Sequence, residues 1–515
     1  MSEHSEPDSA RPQWFDDDGG GGALRTIARS GSANVGGALI GAAANFLLIV
    51  LIARWWAPEE AGVMFAATSV LLIAIGLCHL GVDQSLVRFL AWNTGRGDAT
   101  RNRSLTFRAL VPVMILAIAV ATAGWFGATP LQRSWGALGD SSEAVTVIRT
   151  LAVALPVAVL YEQLLAITRG YSRMRATVII ERILRPCLQV LFVIVAAQTV
   201  PTVPALALAW VAPYPICLAL AALPAWDTIR TMPRSMPKLQ QSAGTMSEFW
   251  RFTAPRGAAR LAQIGIQRAD IVIVAALAGP AAAAIYTAAT RFLVLGQMAT
   301  GALQQVSEPQ LAKLLGADNL ARAAAIVRTM TLWSTALAVP LYVTIAVHAD
   351  ALLHLIFGPE YAAGSPLLRL LCAAMIIGVL CGPVDVLLLM AGRSTLSLIN
   401  TVAALVTSIL LCLLLVPSLS YLGAGIAWAA AILLKNCMAC IQVWRHLRVM
   451  VFTWQQARWA VMAIMLFAPA PILLTVSVTS QWVPIALSMA IGGGYLAWTW
   501  VNRSKLLRAD GGIIS

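Results

Sequence analysis

"RGAARLAQIGIQRAD", residues 256–270, runs without a break into "IVIVAALAG", residues 271–279. The second piece has the composition of the middle of a membrane span, yet the first brings three arginines, two glutamines and an aspartate into the same stretch. Residues at i, i+4, i+7, i+11 and i+14 of a helix share a face. Arg256, Arg260, Gln263, Gln267 and Asp270 have that spacing, and Arg268 points about 120° away from them. One polar face on an otherwise apolar helix means that the helix is polar toward something other than lipid.

The chain around it settles the class. Of 515 residues, 59% are hydrophobic and 11% charged, and the mean hydropathy of +0.78 excludes a soluble globular domain. A span needs roughly 20 apolar residues to cross about 30 Å of hydrocarbon. Such runs recur from Ala33 to Val501, giving an all-α polytopic membrane protein of about fourteen transmembrane helices. The formal charge of +13 is not a nucleic-acid signal, because the arginines gather at every second break between spans. Arg96, Arg101, Arg103 and Arg108 follow the second span, Arg169, Arg173 and Arg175 the fourth, Arg230, Arg234 and Lys238 the sixth. That alternation predicts a multi-pass protein of the inner or plasma membrane with both termini cytoplasmic. Residues 1–32 carry Glu3, Glu6, Asp8 and Asp16 to Asp18, and read as a disordered cytoplasmic tail rather than a secretory signal. The eight cysteines lie in apolar runs, so they make no disulfide framework. Cys437 and Cys440 form a CxxC without a second ligand pair and read as small packing residues; no metal and no cofactor is expected.

The pattern occurs twice. "PEEAGVMFAAT", residues 58–68, and "PAAAAIYTAAT", residues 280–290, share P-x-x-A-x-x-x-x-A-A-T, and Pro58 and Pro280 stand 222 residues apart. Gly170 and Gly392 have the same separation. Six spans lie between corresponding points, so the expected halves are parallel repeats related by an axis along the membrane normal. The predicted organisation is an N-lobe over 33–229 (spans 1–6), a cytoplasmic linker over 230–247, a C-lobe over 248–448 (spans 7–12), two extra spans over 449–502 and a cytoplasmic tail over 503–515. Folds of this kind usually bind cargo between their halves.

Charges inside spans mark the candidate site. Arg256 and Arg260 either snorkel to headgroups beside Phe249 and Trp250 or line a cavity. Gln267 and Asp270 lie deeper by several turns, where a charge costs at least about 3 kcal/mol without a partner or water, and a cavity suits them better. Arg268, Arg291 in the eighth span and Arg88 at the end of the second, with Asp83 and Gln84 beside it, fit the same cavity. Gln263, Gln267, Gln297, Gln304 and Gln305 could give it a hydrogen-bonding lining. Glu181 and Arg185 stand i,i+4 and are expected to pair. Glu162 and Asp385 are one residue from repeat equivalence; each is either a proton- or cation-coupling acid or a structural hydrogen-bonding group, and Asp270 and Asp83 are further coupling candidates. His79 reads either as a packed polar residue or as a relay. The positions matching Arg256, Arg260 and Gln267 in the first half are Asn34, Ala38 and Asn45, so the second half carries most of the positive field.

"LIARWWAPEEAG" (51–62), "GVDQSLVRF" (81–89), "RADIVIVAALAGPAAAAIYTAATRF" (268–292), "FGPEYAAGSPLLRLL" (357–371) and "VPSLSYLGAGIAWA" (416–429) resemble the multidrug, oligosaccharidyl-lipid and polysaccharide (MOP) exporter superfamily, in its branch of O-antigen-type polysaccharide flippases. The resemblance covers about residues 30 to 450 and implies two six-helix lobes forming a V around a cavity that opens alternately to each side. It also implies the cargo, a polyprenyl-diphosphate-linked oligosaccharide moved from the cytoplasmic to the outer leaflet. The partners implied are the lipid bilayer and the glycan polymerase or glycosyltransferases of the same pathway. Guanidinium forks match phosphate oxygens well, so Arg256, Arg260, Gln263, Gln267, Arg268, Arg291 and Arg88 are the candidate substrate-binding residues. A drug or small-molecule cation antiporter of the same superfamily is the alternative, although the carboxylate such relatives commonly hold on the first span is here replaced by Asn34 and Asn45. A membrane glycan polymerase or glycosyltransferase is the rival from another class. Against it, the outward breaks near 130–143 and 348–365 are too short to fold separately, Asp350, His354 and Glu360 lack further ligands, and a G-x-x-x-x-G-K-[ST] phosphate loop is absent.

Overall fold

A computed structural model describes residues 20–95, 99–134, 142–171, 173–232, 239–317, 319–449, 454–467, 487–488 and 490–495. They form helices. Helix α1 (Gly20–Trp55) turns into α2 (Pro58–His79), and a break at Leu80 and Gly81 separates α2 from α3 (Val82–Gly95). Helices α4 (Asn102–Ser134) and α5 (Ser142–Gly170) follow. The next span opens with α6 (Met174–Ala176), passes through a π-helical stretch, Thr177–Leu184, and continues as α7 (Arg185–Thr199). Helices α8 (Val203–Val211) and α9 (Pro213–Thr231) close the first half.

The second half begins with α10 (Leu239–Ala278) and α11 (Pro280–Gly316), then α12 (Leu320–Val347) and the short α13 (Ala349–Ile356). Helices α14 (Ser365–Cys381), α15 (Val384–Met390), α16 (Ser394–Leu419) and α17 (Tyr421–Leu447) complete it, and α18 (Trp454–Phe467) packs on α12. Ten helices among the described residues are long and apolar enough to cross a membrane. The expected last two spans fall largely outside the described residues, as does the tail over 503–515.

Sequence marks explain several ends. Pro58 and Pro280 each take the first residue of a helix, where the missing N–H would have had no partner. Gly170 closes α5, and Gly392, at φ 75°, sits in the turn after α15. The linker expected over 230–247 is helical at both sides, since α9 runs to Thr231 and α10 starts at Leu239. The tail expected over 1–32 likewise contains the start of α1 at Gly20, so the long helices that enter both halves begin earlier than composition suggests.

The two lobes meet along α2, which packs against both α10 and α11. At one end Leu80 and Gly81 adopt left-handed backbone, φ 50° and 79°. A Cβ on Gly81 would come within 2.6 Å of Gly257 N, and one on Gly257 within 2.5 Å of Leu80 O. Phe89 stacks edge-on with Phe249 and Phe252 beside this crossing. At the opposite end the backbone of Gly62 lies so close to Pro280 O that any Cβ would overlap it. There Arg54 donates to the carbonyls of Leu355 and Ile356, and Phe46, Phe292 and Phe357 form a ring cluster.

Candidate functional site

Between those two contacts lies a cavity of about 290 Å³ whose polar lining comes from both lobes: Asn45, Thr68 and Arg185 from one, Arg268, Thr287 and Arg291 from the other. The three guanidinium groups define it. Arg185 Nη1 reaches Gln189 Oε1 at 3.5 Å and its Nε is buried without a hydrogen-bond partner; Arg291 Nε donates to Thr287 O at 3.4 Å. Among the described residues none of the three makes an ion pair. The nearby acid, Asp270, is occupied: Tyr286 Oη donates to its Oδ2 at 2.6 Å and Ile271 N–H to its Oδ1 at 2.8 Å. Desolvated cations without carboxylate partners are costly to a fold. A chamber that gathers three of them is electrostatically prepared for an anion, and planar forks suit phosphate oxygens in particular.

The residues expected at the site divide. Arg268 and Arg291 reach the cavity. Arg260 instead pairs with Asp83 across the lobes, Nη1 to Oδ2 at 3.2 Å. Arg256 Nε donates to Gln84 Oε1 at 3.4 Å, and Arg88 lies over the Phe252 ring at 3.9 Å. Gln263 and Gln267 are exposed on α10 and do not line the cavity. The polar stripe over residues 256–270 is therefore an inter-lobe seam at its first two arginines, and the residue turned away from it, Arg268, is the one that faces the cavity. Gln297 is exposed, Gln304 half-buried, and the side chain of Gln305 falls outside the described residues.

Arg185 was not expected here, since i,i+4 spacing assigns it to Glu181. The π turns between Thr177 and Leu184 break that phase. Glu181 pairs with Arg169 at 3.1 Å instead, which leaves Arg185 to the cavity. The arginine immediately before Pro186 in the middle of a span was the available signal.

The other candidate coupling acids, Asp385 and Glu162, also have partners. Asp385 Oδ2 lies 3.4 Å from Lys435 Nζ. Glu162 Oε2 lies 2.8 Å from His79 Nε2, and Gln163 Nε2 2.9 Å from His79 Nδ1. No group of three or more His, Cys, Asp and Glu side chains able to hold a metal occurs among the described residues.

A second cavity, about 580 Å³ and almost wholly apolar, adjoins the first. Asn45 and Arg291 line the cationic chamber while their neighbours Phe46 and Phe292 line the apolar one, together with Leu341, Phe467 and Tyr495. His348 Nε2 and Ser488 Oγ, 2.7 Å apart, tie the C-terminal helices to its rim.

The sequence profile of a family described as polysaccharide biosynthesis protein matches residues 51–366. The chain belongs to that family. No curated protein matches the sequence of this chain. Its fold is that of MOP-superfamily transporters. The lipid II flippase MurJ in an inward closed conformation superposes with a TM-score of 0.69 at 10% identity, over 91% of this chain and 98% of that one. A multidrug resistance MATE family transporter, inward-facing, gives 0.63 at 16% identity over 82% and 95%. A MOP-superfamily transporter from Pyrococcus furiosus, described as having a binding pocket of reverse polarity, gives 0.55 at 15% identity over 82% and 95%.

Proposed function

We propose that this multi-pass protein flips a polyprenyl-diphosphate-linked oligosaccharide or polysaccharide precursor from the cytoplasmic to the outer leaflet by alternating access, driven by an ion gradient. The observation that carries the reading is the cavity lined by Arg185, Arg268 and Arg291 without ion-pair partners. A diphosphate cannot enter hydrocarbon unless donors replace its water, and these forks supply them. The adjoining apolar cavity suits the polyprenyl chain, which keeps headgroup and tail in neighbouring compartments. The end closed by Asp83 and Arg260 faces the cytoplasm and the end closed by Gly62 and Pro280 faces outward, both termini being cytoplasmic by the distribution of arginine. The lobe contacts at both ends then correspond to a state with the site sealed on each side, and residues 33–229 and 248–448 are the units that rock.

The same charges weigh against a cationic drug as cargo, since three unpaired guanidinium groups repel it. The transporters that share the fold weigh against a polymerase or glycosyltransferase, which the sequence also disfavoured. The glycan polymerase and glycosyltransferases of the pathway are the partners proposed. Flipping of a lipid-linked oligosaccharide in proteoliposomes tests the proposal. Arg268→Ala and Arg291→Ala should each lower flipping about tenfold to a hundredfold, the loss of a charge-assisted hydrogen bond of about 1.5–3 kcal/mol. Unchanged flipping by both variants would overturn the assignment of the cavity.

A further inference from the structure

The acids inside the lobes differ in what they face. Asp83, Glu181 and Asp385 pair with the guanidinium groups of Arg260 and Arg169 and the ammonium of Lys435. Asp270 is held by a phenol and a backbone N–H. Glu162 faces His79, and histidine is the side chain whose charge ordinarily changes between pH 5 and 8. His79 is fully buried, as is Gln163.

The orientation of the Gln163 amide assigns the hydrogen-bonding roles of the ring. Gln163 presents its Nε2, which can only donate, to His79 Nδ1. Nδ1 therefore accepts, the ring proton sits on Nε2, and it is donated to Glu162 Oε2 at 2.8 Å. With one proton on the ring and Glu162 ionised, the pair would carry one negative charge. Gln163 Oε1 is buried with no hydrogen-bond partner, an expensive state for an amide oxygen. Turning that amide over would bring Oε1 to Nδ1, ready to accept from a second ring proton.

We propose that His79 and Glu162 are the proton-loading site of the transport cycle, with the Gln163 amide turning over as the proton enters. The inference rests on the reading of this chain as an ion-coupled transporter. One proton adds to Nδ1, no bond other than N–H forms, and the pair passes from a net charge of −1 to zero. The groups around it decide what that change does. Arg260 of α10 and Arg185 of α7 act on the same carboxylate through space. Glu181 of the π stretch, with its partner Arg169, and the phenols of Tyr161 and Tyr214 are also within electrostatic reach of Glu162. Asp83 of α3 holds Arg260, and Arg268 and Arg291 stand farther along α2 at the cavity.

Arg260 is the second-lobe member of this group that both pairs with Asp83 and acts on Glu162. With the site empty it is drawn to the first lobe by Asp83 and by Glu162; with the site loaded, only Asp83 remains uncompensated. Loading therefore loosens the end closed by Asp83 and Arg260. A proton taken up when the opposite end is open and released at this one would move against an exported anionic headgroup.

The test is hydrogen–deuterium exchange of the full-length protein in lipid nanodiscs between about pH 8 and about pH 5.5, corrected for intrinsic exchange. Wild-type exchange in α3 and in the first half of α10 should rise as pH falls. His79→Gln keeps a donor for Glu162 and an acceptor for Gln163 but cannot titrate, so its exchange should be flat across the range. Gln163→Met removes the acceptor of the loaded form, and its midpoint should fall by about one pH unit, a tenfold loss of proton affinity. It also carries the test where His79→Gln does not fold. A wild-type protein without this pH response, a His79→Gln protein that keeps it, or an unmoved midpoint in Gln163→Met would overturn the proposal. Flipping of lipid-linked oligosaccharide is measured separately: flipping without the pH response would sink the proton site and leave the cargo assignment, and the response without flipping would do the reverse.

Discussion

Tyr286 Oη donates a 2.6 Å hydrogen bond to Asp270 although Arg268 and Arg291 act on the same carboxylate. A free carboxylate at that place would pair with one of the guanidinium groups and withdraw it from the cavity. The phenol and the Ile271 N–H instead occupy both oxygens of Asp270, which makes no ion pair with either arginine.

Tyr286→Phe should therefore release Asp270 toward Arg268 or Arg291. The expected result is about tenfold weaker apparent affinity for the anionic cargo, corresponding to about 1.4 kcal/mol, with protein level retained. The readout is the concentration dependence of flipping, and Tyr286→Phe/Asp270→Asn should recover most of the loss. Wild-type affinity in the single variant would show that Asp270 has no access to the arginines.

The seals at the two ends lead to a pair of opposite outcomes. At Gly62 the obstacle to a side chain is the Pro280 carbonyl, and at Gly257 it is Leu80 O, in both cases backbone that cannot rotate aside. Gly62→Leu should hold the lobes apart at the Pro280 end and Gly257→Leu at the other. A membrane-impermeant maleimide, added to right-side-out or inverted vesicles carrying Asn45→Cys, reports which side reaches the cavity. Each leucine should raise labelling several-fold from its own side and stop flipping, and equal labelling from both sides in both variants would exclude these glycines as seals.

Much of this architecture was legible beforehand because helices in lipid advertise themselves by length and hydropathy. The offset between Pro58 and Pro280 located equivalent helix starts, and Arg268 and Arg291 were found by the cost of a charge in hydrocarbon. The site was less legible where helical phase was interrupted. Periodicity placed Arg256, Arg260, Gln263 and Gln267 on one face, but the left-handed turn at Leu80 and Gly81 brings Asp83 and Gln84 onto the first two, and no spacing rule within α10 reports on a partner in α3. Arg185 was hidden by π turns, which a constant period cannot see. Asn45 reads from the sequence as an uncharged counterpart of Gln267 and of the first-span carboxylate of drug-extruding relatives, and its place in the cavity lining follows from where α1 crosses α11.

Asp83 and Arg260 should behave as one unit across the lobes. Asp83 is buried and its Oδ1 has no hydrogen-bond partner, whereas Arg260 is about a third exposed, so the loss on removing either is moderated by solvent. Asp83→Asn and Arg260→Gln should each open this end and lower flipping several-fold. The double variant should lose no more than the worse single one, because both remove the same contact. Losses that multiply would show that the two residues act independently.

Lys435 and Asp385 test the difference between a structural pair and a coupling acid within the C-lobe. Both side chains are only partly exposed, 20% and 30%, and Asp385 Oδ1 is buried without a partner. Removing the lysine leaves a carboxylate short of its counter-charge, which costs a fully buried pair about 3–5 kcal/mol and this partly wet one less. Lys435→Met should lower the thermal unfolding midpoint in detergent by several degrees, and adding Asp385→Asn should restore most of it, since a neutral amide needs no cation. Flipping by the double variant should keep the wild-type dependence on an imposed ion gradient. If that dependence disappears while the protein remains folded, Asp385 carries the coupling ion and the pair is part of the transport cycle instead of the scaffold.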